Sequence, residues 1–204
     1  METPLGPIKV ANIALNIRCL GATPKDIDQK EHSLELQFPF IKHYCPDAEI
    51  IPILVRGSAA QDESMAYLAN LLRDQDTALV ISSDFCHWGA DYGYYPRLQA
   101  YSGSTMSERI RSLDEQALEA IASMNPDDLL DYLEGTGNTV CGCDAILLGM
   151  RILNRIGGGT WKWLHYNQSS ELGDYDPQGH SVSYVAGALI QHPEPSPIGR
   201  DRDQ

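Results

Sequence analysis

Apolar positions along the chain follow two rhythms. IKVANIALNI (8–17), EIIPILV (49–55) and ALVISS (78–83) are short β-branched or continuous apolar runs bounded by turn or polar residues. Such runs predict buried strands of a mixed or parallel sheet. TWKWLHYNQ (160–168) and SVSYVAGALI (181–190) alternate or run apolar and predict two closing strands. Between the second and third runs, Met65, Leu68 and Leu72 recur at spacings of three and four, which predicts a helix over 60–74 and a strand, helix, strand unit.

The helical rhythm continues further on. Ile110, Leu113, Ala117, Ile121 and Met124 mark an amphipathic helix over 106–124, and Asn125-Pro126 offers the N-cap and first residue of another. Both should cover a sheet face. AILLGMRILNRI (145–156) is apolar nearly all round and stops at three glycines, as a buried helix with a C-terminal breaker does. After the first strand, Gly21-Ala-Thr-Pro24 breaks the pattern, and a further helix is expected from about Glu31. The fold class expected is α/β, a mixed β-sheet sandwiched by helices. One domain covers 1–191, and 192–204, rich in proline and charge with nothing to bury, reads as a disordered tail.

Composition narrows the function classes. A chain of 204 residues can bury roughly 70 % of the surface that its unfolded form exposes. A formal charge of −13 repels phosphate backbones, so no nucleic-acid partner is expected. No apolar stretch approaches the ~20 residues of a membrane span. Five cysteines without CxxC pairing fit a reduced cytoplasmic compartment better than a disulfide framework.

Three clusters could carry chemistry. In VISSDFCHWG (80–89) the strand expected over 78–83 gives way to Asp84, Cys86, His87 and Trp88. Ligand sites of α/β sheets lie outside the carboxyl ends of strands. Asp84 can ligate a hard metal, and His87 is a candidate base or ligand; the plainer reading is that Asp84 caps a turn and His87 packs on Trp88. In NTVCGCDA (138–145), Cys141 precedes a helix whose N–H groups would activate it, whereas two buried structural cysteines are the plainer reading. Cys86 should point away on a tight turn, leaving Cys141 as the reactive thiol. In EHSLELQFP (31–39), His32 and Glu35 lie one helical turn apart and could share a pocket or simply face solvent.

EHSLELQFPFIKHY, IIPILVRG, VISSDFCHWG, NTVCG and NQSSELGDYDPQGHSVSYVAGAL resemble, in order and spacing, the Memo family, named for mediating receptor-tyrosine-kinase-driven cell motility. The resemblance implies an α/β sandwich like that of the class III non-haem iron, or extradiol LigB-like, dioxygenases, in which two histidines and a carboxylate hold the metal and a further histidine acts as acid or base. On this resemblance His87 matches the further histidine, Asp84 lines the same pocket, and Cys141 replaces the carboxylate ligand. The family's upstream His-Ala-Gly-Tyr and Ser-His-His motifs do not occur in this sequence, so the fold is expected to be incomplete at the N-terminus, with an uncovered sheet edge.

The resemblance further implies copper or iron, weakly bound, in a redox protein that signals to the cytoskeleton in cell motility or growth, in the cytoplasm or nucleus. Its partners would be signalling or cytoskeletal proteins. Metal-dependent oxidoreductase chemistry remains open, and ring cleavage is disfavoured because a thiol stands where iron(II) needs a hard carboxylate. The alternative is a non-enzymatic adaptor for phosphotyrosine-type peptides, although the arginines are dispersed in sequence.

Overall fold

The computed structural model describes residues 1–12, 32–55, 62–74, 76–174 and 179–191. Half of the first expected strand, the start of the helix expected from Glu31, and the expected tail lie outside them. Five α-helices and two sheets form a mixed α/β arrangement among these residues.

The smaller sheet is a parallel pair, β1 (Lys9–Val10) and β2 (Glu49–Ile50). Among the described residues this ladder is two residues long on each strand, and Pro52 has no N–H to extend it. Helix α1 (Phe38–Tyr44) starts seven residues later than expected. Its second residue, Pro39, has no N–H and fits only a first helical turn, so residues 33–37 form turns instead.

Four further helices follow the apolar periodicity closely. α2 (Asp62–Leu72) buries Met65, Leu68 and Ala69. α3 (Met106–Ala122) opens with a capping box: Glu108 N–H donates to the Thr105 hydroxyl, and Thr105 N–H donates back to the Glu108 carboxylate. α4 (Pro126–Thr136) takes Asn125 as N-cap and ends at Gly137, whose φ of +62° suits glycine. α5 (Cys143–Asn154) buries Ile146, Leu147, Met150, Ile152 and Leu153 and stops before Gly157 and Gly158, both at positive φ.

The larger sheet is antiparallel, in the order β3 (His87–Gly89), β5 (His180–Gln191), β4 (Gly159–Gln168). Helices α3, α4 and α5 pack on one face through Ala117, Ile121, Leu129, Ile146 and Met150, against the stacked rings of Trp161 and Trp163. A second cluster joins Cys86 and Trp88 to Ile110 and Leu113 of α3.

The run 78–83 departs from expectation. It has no ladder among the described residues, and a strand forms one segment later, over His87–Gly89. Its apolar side chains are used differently: Ile81 and Leu79 rest on α5 at Gly149, where any Cβ would collide with the Ile81 Cδ1 methyl. The chemistry-bearing residues therefore lead into a strand instead of leaving one.

Candidate metal centre

Two segments build the site. Ser83–His87 runs into β3, and Asn138–Gly142 joins α4 to α5. The first is anchored to β5, with Phe85 N–H donating to Ser183 O at 2.9 Å and Ser183 N–H donating to Cys86 O at 2.9 Å. The second is tied to the first at successive positions. His87 N–H donates to Thr139 Oγ1 (2.7 Å), Cys141 N–H to Asp84 O (3.3 Å), and Gly142 N–H to Ser83 Oγ (2.9 Å). Only glycine allows this approach at 142, because a Cβ there would stand 2.5 Å from Ser83 Cβ and 2.7 Å from Ser82 O.

These ties bring together one potential ligand atom each from Asp84, His87 and Cys141, all within 4.8 Å of one another. His87 Nδ1 lies 2.9 Å from Phe85 O and 3.0 Å from Thr139 O. Both are acceptors, so Nδ1 carries the hydrogen, and in the neutral ring Nε2 presents its lone pair. That lone pair faces Asp84 Oδ2 at 3.8 Å. Two acceptors aimed at each other call for a proton or a cation between them, and a backbone carbonyl on the far ring nitrogen is how metal-bound histidines are commonly oriented. The donor set fits a metal on these grounds.

The sulfur is oriented by the opposite segment. Asp84 N–H reaches Cys141 Sγ at 3.3 Å, so the N–H that meets the thiol belongs to the facing loop and not to the helix that Cys141 precedes. Cys141 is exposed, whereas Cys86 is fully buried. Burial, then the nearby Asp114 carboxylate, pushes the Cys86 thiol far up. Cys143 is also raised, first by burial and then by Asp144.

For the His87 ring the plainer reading does not match the ring contacts. The ring meeting His87 is Tyr92, edge-on at 5.2 Å, while Trp88 is buried and meets Tyr95. His32 and Glu35 stand exposed on the turns before α1 and are not in the converging group. Sequence reasoning missed Thr139, which holds His87 at both its N–H and its ring, although it lies inside the NTVCG stretch. Tyr184 was also missed. Burial, then Asp84, then Tyr92 raise its phenol.

Beneath both segments lies Asp114 of α3, with no solvent exposure. Its Oδ1 accepts from Cys86 N–H (3.2 Å) and from Asn138 Nδ2 (3.1 Å), and its Oδ2 accepts from Tyr166 OH (2.9 Å). Burial raises its carboxyl above the ordinary value, and the bonds from Ser183, Asn138, Tyr166 and Cys86 oppose the rise.

An α/β protein with a convergent aspartate, histidine and cysteine at the sheet end is thus the class defined by fold and site. The chain belongs to the Memo family: the family profile described as Memo-like protein matches residues 1–188. It is 35 % identical to the "Protein memo-1 homolog" of Caenorhabditis elegans over 94 % of this chain and 58 % of that protein. It is 31 % identical to a MEMO1 family protein of Schizosaccharomyces pombe, over 84 % of this chain and 65 % of the relative. To "Protein MEMO1" of Homo sapiens it is 32 % identical, over 81 % and 58 % respectively. The chain therefore spans about three fifths of the length of the curated relatives it matches. No helix among the described residues is long and apolar enough to cross a membrane.

Proposed function

We propose that this chain supplies a metal pocket, with Cys141, His87 and Asp84 as ligands for copper or iron, in a cytoplasmic redox protein that serves signalling to the cytoskeleton, cell motility or growth. The observation that carries this is the convergence of sulfur, imidazole nitrogen and carboxylate oxygen within 4.8 Å. Thiolate and imidazole are donors that copper and iron both accept. A bound copper or iron ion supplies one-electron chemistry.

The chain's own residues do the positioning. Phe85 O and Thr139 O hold the proton on Nδ1 and leave Nε2 to bind, while Asp84 fixes the sulfur through its N–H and lends a negative carboxylate to a cation. Three donors fall short of the four protein ligands of closed structural sites, so weak binding is expected from this chain alone. The phosphopeptide alternative has less support, because Asp84 would repel phosphate and because Arg109 and Arg111 are engaged elsewhere: Arg109 with Gly103 O, Arg111 with Glu115 and the Tyr166 ring.

Equilibrium titration of the purified chain with copper and with iron(II) tests the proposal. Cys141→Ser and His87→Ala should each weaken binding by at least about 10-fold, the scale on which loss of supporting contacts already acts. Affinities equal to wild type in both variants would end the reading.

A further inference from the structure

Among the described residues, the Asp114 carboxylate is the buried charge-bearing group that touches both segments of the pocket and yet is not a candidate ligand. A buried carboxyl is stable only where donors surround it, and the donors that surround this one come from both segments of the pocket. A single oxygen, Oδ1, takes one bond from each segment: the backbone of Cys86 and the side chain of Asn138. His87 is the next residue after Cys86. Thr139, which grips His87 at two points, is the next after Asn138, and Cys141 follows two residues later.

The surroundings fix where this oxygen sits. Tyr166 OH receives a hydrogen bond from Gln168 Nε2, so its own proton points outward to Asp114 Oδ2 or Ser183 Oγ. Asn138 Nδ2 reaches a second acceptor, the Tyr132 hydroxyl at 2.7 Å, and Tyr132 OH itself donates to Leu113 O on α3. The carboxylate is thus held from the sheet by Tyr166 and from the helices by its own backbone and the Asn138–Tyr132 link.

We propose that Asp114 is a positioning residue for the metal pocket, its Oδ1 acting as the shared acceptor that sets the separation of the His87 and Cys141 segments. This rests on the metal reading above. Asp114 touches no ligand atom and acts only through Cys86 and Asn138. Asparagine would keep the same oxygen for both donors and turn its amide toward Tyr166, whose proton then goes to Ser183; alanine would leave both segments untied.

Titration with cobalt(II) alone tests this, because thiolate-to-cobalt charge transfer and the d–d bands report both the donors and their geometry, and thermal unfolding is followed on the same samples. Wild type should give a thiolate-ligated spectrum. Asp114→Ala should weaken cobalt binding by about 10-fold, as loss of supporting contacts around a metal does, and shift the d–d bands. Asp114→Asn should restore both the affinity and the spectrum. Asn138→Ala cuts one tie and should weaken binding by a smaller factor; it decides the matter if Asp114→Ala does not fold. A lower melting temperature with unchanged affinity and spectrum in the folded variants would overturn the positioning role and leave the metal reading intact. A wild type without any thiolate–cobalt band would overturn the metal reading and this inference with it.

Discussion

The stretch Ala78–Gly89 passes through two environments. From Phe85 onward its backbone is bonded to β5, its side chains pack on α3, and the segment carrying Cys141 is tied across it. From Ala78 to Ser83 it has no ladder to another strand among the described residues, with Leu79 40 % and Val80 57 % exposed beside an open groove of about 510 Å³. Ile121, Leu153, Trp161, Val185 and Leu189 line that groove. Composition suggests the reverse, since ALVISS is more apolar than DFCHWG. Order follows from facing partners. The backbone N–H groups of Asp84, Phe85, Cys86 and His87 each meet an acceptor opposite, whereas among the described residues Leu79 and Ile81 rest by their side chains on α5 at Gly149.

The comparison can be broken most severely at the ordered end. Leu113→Ala removes a fully buried side chain under Trp88 and should cost about 3 kcal/mol, within the range for buried leucine truncations, as read by denaturant unfolding. A loss below about 1 kcal/mol would mean that this half is no better packed than the groove. Next in size, Gly142→Ala forces a Cβ against Ser83 and Ser82 O and should cost about 2 kcal/mol by overpacking. It should also part the two segments, so weaker metal binding is expected with it.

The start of α3 gives a smaller effect. Thr105→Ala should cost about 1 kcal/mol through the lost cap. The partner in that cap adds a pH signature. Hydrogen bonds from Ser104 and Thr105 pull Glu108 down to about 2 from 4.5, so the folded chain holds its proton less tightly than the unfolded one. Its contribution is present above pH 4.5 and is lost as pH falls toward 2, a loss that Glu108→Gln should abolish.

Asp114 runs the other way. Its carboxyl is raised above 3.8 by burial, so the folded chain binds that proton more readily, and this group's contribution declines as pH rises from 3.8 through the raised value. Asp114→Asn, which cannot ionise, should therefore gain stability relative to wild type over that rise; a variant that loses stability relative to wild type over the same rise would contradict the direction. The smallest effect belongs to the open end. Leu79→Ala should change stability by no more than about 0.5 kcal/mol, as exposed positions do, and a loss as large as that of Leu113→Ala would erase the contrast.

Much of the helical part was legible in the sequence. Met65, Leu68 and Leu72, the repeat from Ile110 to Ile121, Asn125-Pro126 and the glycines after Asn154 placed α2 to α5 within a few residues, because helix caps and 3.6-residue periodicity are local properties. The closing strands were legible for the same reason: β4 and β5 pair with each other from Gly159 to Gln191, and each can satisfy the other. The candidate site was legible as three residue names, Asp84, His87 and Cys141, and as the expectation that Cys86 turns away.

What the sequence did not contain was partnership. Whether ALVISS forms a ladder depends on a strand brought alongside by the rest of the fold, and among the described residues β5 beyond Ser183 has a ladder to β4 alone. The N–H that meets Cys141 comes from Asp84, 57 positions away along the chain, and the carbonyls that select the His87 tautomer come from both segments. Asp114 looks like one more acid on an amphipathic helix until α3, β4 and the two segments enclose it. Periodicity and capping are written in neighbouring residues, so the sequence determined the helices and named the candidate residues. Distance, tautomer and burial are set by groups far apart in the chain, so only the tertiary structure decided which of those residues meet.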